Sequence, residues 1–85
     1  MKNRIVDSFD LPKDVVLGAP IVTLYGYDQM VIENNKGVLL ITEKEICVRT
    51  KDCVLRISGR GLNIKDYSKD IIIIRGTIIN ISYDY

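Results

Sequence analysis

From Pro20 onward the chain alternates short apolar runs with turn residues every eight or nine positions, at 21–25, 29–33, 38–42, 45–50, 53–58, 62–66, 71–75 and 77–83. This cadence predicts eight short strands in an antiparallel meander, because the connections are far too short for the dozen-residue crossovers that parallel pairing needs. Asn34-Asn35-Lys36-Gly37 suits a four-residue loop, Lys51-Asp52 a two-residue one, and the two glycines in Ser58 to Gly61 a further hairpin turn. The stretch 1–19 differs. Pro12 followed by Lys-Asp-Val-Val-Leu reads either as a single helical turn closed by Gly18 and stopped by Pro20, or as an extended arm tucking Phe9, Leu11 and Val15 under the sheet. The predicted organisation is therefore an N-terminal arm or turn over 1–19 and one all-β domain over 20–85.

Antiparallel partners share a face and their numbers have a constant sum, so the loops fix a register. Lys51-Asp52 sets Thr50 opposite Cys53, Val48 opposite Leu55 and Ile46 opposite Ile57. Repeated at each neighbouring loop with its own sum, the calculation pairs Ile41 with Ile46, Leu39 with Val48, Ile32 with Leu39, Met30 with Ile41, Ile57 with Leu62 and Leu55 with Ile64. One inner face results: Met30, Ile32, Leu39, Ile41, Ile46, Val48, Leu55, Ile57, Leu62 and Ile64. The last two runs break the alternation. Ile71 to Ile74 is apolar on both faces, and Ile78, Ile79 and Ile81 nearly so, which a strand with one wet side does not explain. Two readings follow: the pair closes a small sandwich or roll-like barrel of seven or eight strands, with Gly76 at the bend, or Ile72, Ile74 and Ile78 form a partner or subunit interface.

Composition supports strands over helices. Fourteen Ile, eight Val and four Thr stand against one Ala in 85 residues, and β-branched side chains fit a pleated sheet better than a helix. A domain this small has a thin stability margin, which keeps homo-oligomerisation open. Twelve basic and eleven acidic residues leave a net charge of +1, so no global field marks a nucleic-acid or membrane-surface binder. With no export signal and no apolar run long enough to span a bilayer, the expected setting is the reducing cytosol, without direct membrane insertion.

The chain has no His, which removes the commonest general base and metal ligand together with every Ser-His or Cys-His arrangement. The eight Asp and three Glu fall mostly in loops and at strand ends, as solvated turn formers do. No phosphate-loop motif is present, and Gly59-Arg60-Gly61 reads as a turn. The chain is thus expected to be no enzyme, with no catalytic residue, no metal and no cofactor. Cys47 and Cys53 fall on opposite faces in the register above, so neither a disulfide nor a shared metal is expected. Arg49, Arg56 and Lys65 surround Val54 on the outer face, a candidate basic surface for an acidic partner, a phosphate or RNA. The aromatics that stack bases are missing from that stripe, which favours reading it as a solvated face.

The segments Leu11-Pro-Lys-Asp-Val-Val-Leu, Val31-Ile-Glu-Asn-Asn-Lys-Gly-Val-Leu, Val54-Leu-Arg-Ile-Ser-Gly-Arg-Gly-Leu-Asn-Ile-Lys and Ile72-Ile-Ile-Arg-Gly-Thr-Ile resemble the YabP/YqfC family of sporulation proteins, and its YqfC branch most. The likeness runs from Phe9 to Tyr83. It implies a role in endospore formation, in the mother-cell cytosol, beside a larger membrane-bound sporulation protein, and it brings no catalytic activity. The function expected on this basis is a small β interaction module docking on that partner, peripheral to the forespore membrane. A small nucleic-acid or anionic-ligand binder using the basic face is the alternative.

Overall fold

The computed structural model describes residues 18–85. The helical turn or arm expected before Gly18 lies outside the described residues. The apolar runs form six strands: β1 Ile21–Tyr25, β2 Gln29–Glu33, β3 Gly37–Ile41, β4 Glu45–Arg49, β5 Val54–Ser68 and β6 Ile71–Asp84. All lie in one antiparallel sheet in the order β1-β2-β6-β5-β4-β3, with no helix among the described residues. Among the described residues the sheet stays open, with β1 and β3 as its edges, and does not close into a barrel.

Six strands replace the expected eight because the glycines at 59–61 do not turn the chain. β5 runs straight through them, and β6 runs through Gly76; the turn between the two is Lys69-Asp70, with Asp70 at a φ of 71°. The runs 71–75 and 77–83 are therefore one bent strand, not a hairpin. The register of β4 with β5 is as expected, with Ile46 opposite Ile57 and Val48 opposite Leu55, and Ile41 meets Ile46. Pairings inferred across longer loops differ. A bulge at Leu39 puts Val38 opposite Val48, while Met30 and Ile32 meet Ile74 and Ile72. Ile57 and Leu55 meet Ile81 and Tyr83, and Ile64 meets Ile74.

The β5–β6 ribbon belongs to two half-sheets. Its near end joins β4 and β3, and its far end joins β2 and β1. The short link between the halves forces the sheet to coil. β2 and β3 are four ladder steps apart, about 19 Å on a flat sheet, yet only Asn34, Asn35 and Lys36 link them, a reach of about 14 Å. The linker holds both halves: Asn35 N–H donates to the Asp70 carbonyl and Lys36 N–H to that of Arg49. Coiling brings the inner faces together, and Met30, Ile32, Ile46, Val48, Leu55, Ile57, Leu62, Ile72 and Ile74 form one buried cluster drawn from both halves. Leu39 and Ile41, assigned to the inner face from sequence, are 50% and 56% exposed because they sit on the β3 edge. Ile64 packs half-buried against the cluster.

The bend works through glycine. At Gly59 an added Cβ would overlap the Thr77 carbonyl oxygen, and at Gly76 it would lie 2.6 Å from Gly61 O and 2.8 Å from Leu62 Cα. The turns of the outer hairpins clip onto this crossing in matching fashion. Gly59 and Leu62 donate to the carbonyls of Lys44 and Glu43, while Gly76 and Ile78 donate to those of Asp28 and Tyr27.

Two expectations for stability follow. Gly76→Ala combines a backbone clash with a φ of 126° and should cost ~3 kcal/mol or more. Gly37→Ala, at a φ of 127° with open space around it, should cost only about 1 kcal/mol of backbone strain. Urea unfolding checks the difference. Ile74→Ala, in a fully buried position, should lose about 2–5 kcal/mol by the same measurement, whereas a contact-free surface residue would lose almost nothing.

Candidate functional site

Three surface features carry the side chains that function could use. On the outer face of β4, β5 and β6, Arg56 is held between two carboxylates. Its Nη1 donates to Glu45 Oε2 at 2.7 Å, and its Nη2 and Nε donate to Asp84 Oδ2 at 2.7 and 3.1 Å. These bonds, Glu45 first and Asp84 second, raise its pKa. Alternation places Glu45, Arg56 and Asp84 on one face of three adjacent strands, so the clamp follows from register. Beside it lies Cys47, opposite both Leu40 and Arg56 and only 5% exposed. Burial pushes its thiol pKa up, offset in part by Arg56. Cys53 sits half-buried in the turn, with Sγ 3.3 Å from Thr50 Oγ1, and both thiols are free. Among the described residues no group of His, Cys, Asp or Glu could hold a metal ion.

The second feature is a cleft of about 580 Å³ at the ribbon bend, lined by Arg60, Asn63, Lys65, Arg75, Thr77 and Asp28 along with Gly61 and Gly76. Arg60 pairs with Thr77 and Asn63 with Arg75 across the ribbon. Asn63 Nδ2 donates to Gly61 O at 3.2 Å and to Arg75 O at 3.4 Å, tying the two strands together.

The third is the β3 edge. Leu39, Leu40 and Ile41 are 50%, 40% and 56% exposed on a strand that, among the described residues, pairs only with β4, and that carries no charge. Natural sheets usually protect such an edge with charge or proline. Here the bulge at Leu39 is the single interruption.

The residues singled out from sequence fall differently. Ile72 and Ile74 have no exposed surface and face the core at the centre of the sheet, so internal cover accounts for that side of the run, while Ile71 on its other side is 37% exposed. Ile78 is half-buried and lines an apolar hollow of about 210 Å³ with Leu24, Tyr27 and Ile79. Arg49, Arg56 and Lys65 are not one surface. Arg49 and Arg56 share the outer face near Val54, but Arg56 is ion-paired and Lys65 lies beyond the bend in the other half, in the cleft. Arg60 was read from sequence only as part of a turn, and Arg75 was not singled out; the available signal was that each precedes a glycine, in Arg60-Gly61 and Arg75-Gly76.

Comparison with known proteins agrees with these strands as a unit. The model of the YabP family matches residues 18–85, the whole described sheet. This chain belongs to the YabP family. It is also 32% identical over 83 residues to the uncharacterized protein YqfC of Bacillus subtilis (strain 168), covering 98% of this chain and 89% of that protein. No solved structure matches. No helix among the described residues is long and apolar enough to cross a membrane.

The buried thiol gives a test with a definite sign. Because burial favours the neutral form, its stabilising contribution is complete below the ordinary thiol value of 9.0 and is lost as pH rises through the raised folded value. Wild type should therefore lose stability above about pH 9 more steeply than Cys47→Ala, measured by urea unfolding across pH. Parallel curves would show that Cys47 does not contribute.

Proposed function

We propose that this member of the YabP family is a non-enzymatic interaction module of endospore formation, acting in the mother-cell cytosol and docking on a membrane-bound sporulation protein at the forespore membrane. Family membership supports the sporulation role. The observation that carries the docking role is the β3 edge, where Leu39, Leu40 and Ile41 are exposed on a strand that has no second neighbour among the described residues. An extended segment of a partner can add to such an edge, with backbone hydrogen bonds giving affinity and the apolar side chains selectivity. The absence of His from the chain and the pairing of Arg56 weigh against an acid–base enzyme and against the basic strand face as an alternative site.

Deleting the gene in its spore-forming host should lower the yield of heat-resistant spores, and the wild-type gene should restore it. A Leu40→Lys, Ile41→Lys double variant, shown folded by its unfolding curve, should fail to restore it. Normal spores after deletion would remove the sporulation role; full restoration by the folded variant would remove docking through β3.

A further inference from the structure

The cleft at the ribbon bend is a built feature that docking through β3 leaves unused. Its floor exists because Gly76, at a φ of 126°, has no side chain to hold it off the backbone of Gly61 and Leu62, with Gly61 itself at a φ of 60°. Each of these glycines is preceded by an arginine, so the crossing that shapes the fold also sets Arg60 and Arg75 on the rim of one hollow, with Lys65 beside them. Asn63, bonded to the carbonyls of Gly61 and Arg75, holds one Arg-Gly step against the other. Whereas Arg56 is neutralised by two carboxylates, Arg60, Lys65 and Arg75 take part in no ion pair among the described residues, and Asp28 is the one carboxylate in the lining.

Charge selects the ligand. Three cations against Asp28 leave an excess of two positive charges in the cleft, in a chain whose net charge is only +1. A phosphate monoester carries about −1.5 to −2 at neutral pH, and its oxygens suit arginine forks better than a single carboxylate does. A nucleic-acid backbone would need a track of cations over many phosphates, which the near-neutral chain does not supply. The hollow is wide and open to solvent, and a lining without apolar side chains calls for a polar ligand. We propose that this cleft binds a small molecule through a dianionic phosphate monoester, with Arg60, Lys65 and Arg75 as its charge partners.

The test uses the full chain, isotope-labelled for NMR and titrated with inorganic phosphate and with glycerol 3-phosphate. Saturable shifts are expected at the amides of Gly61, Asn63, Gly76 and Thr77. Arg60→Gln and Arg75→Gln, at exposed positions, should each weaken binding about tenfold or more, as loss of a charged hydrogen bond does. Lys65→Gln, away from the glycine crossing, should weaken it as well, and spectra unchanged elsewhere verify the fold. No saturable shift, or wild-type affinity in all three variants, overturns the proposal. So does binding confined to a single-stranded oligonucleotide or to vesicles of anionic lipid, with neither phosphate nor glycerol 3-phosphate bound.

Discussion

The structure depends on one steric allowance, the close passage of two strands where Gly59 faces Thr77 and Gly76 faces Gly61 and Leu62. Side chains at either glycine would hold the backbones apart, the ribbon would run flat, and the inner faces of the two half-sheets would not meet. With the glycines in place the ribbon bends, and Ile72 and Ile74 come against Met30 and Ile32 on one side while Leu55 and Ile57 come against Val48 and Ile46 on the other. Hydrophobic burial supplies the driving force, but the glycines decide which surfaces can be buried together.

The same allowance explains what could be read from the sequence. Strand content was legible in the β-branched excess, and the β4–β5 register followed from a two-residue loop because a short loop leaves no freedom of phase. Seven of the ten residues assigned to the inner face are buried, from Met30 and Ile32 to Leu62. What failed were inferences across Ser58 to Gly61 and across Asn34 to Lys36. Gly-Arg-Gly is as good a turn as it is a crossing point, and only the partner strand tells them apart. The link from β2 to β3 looked like a hairpin loop, yet it joins two halves of a coiled sheet. The surplus of isoleucine in 71–81 took the form of a central strand whose inner side chains Ile72 and Ile74 are core while Ile71 and Ile79 stay exposed, and further exposed apolar residues lie at Leu39 to Ile41, where simple alternation had placed two of them inside.

The candidate surfaces were harder to read for the same reason. Sequence distance put Lys65 near Arg56 only if β5 turned back on itself. Once β5 runs on, Lys65 joins Arg60 and Arg75, and Arg56 is left with Glu45 and Asp84, whose approach required β4 and β6 to flank β5. Alternation predicted the face of each side chain well. It could not predict which strands would be neighbours, and neighbours set the electrostatics.

The position of β6 has a consequence for how the chain acquires its shape. The last strand in chain order lies in the middle of the sheet, between β2 and β5, so Gln29 waits for Arg75 and Val54 for Asp84 before either half-sheet is whole. During vectorial synthesis Met30 and Ile32 emerge long before the strand that covers them, and most of the ordering entropy must be met by distant contacts made late. Neither half is a subdomain that can assemble ahead of the other. The molecule should fold slowly for its size and in a single cooperative step, with its apolar face open to chaperones until the final hairpin closes.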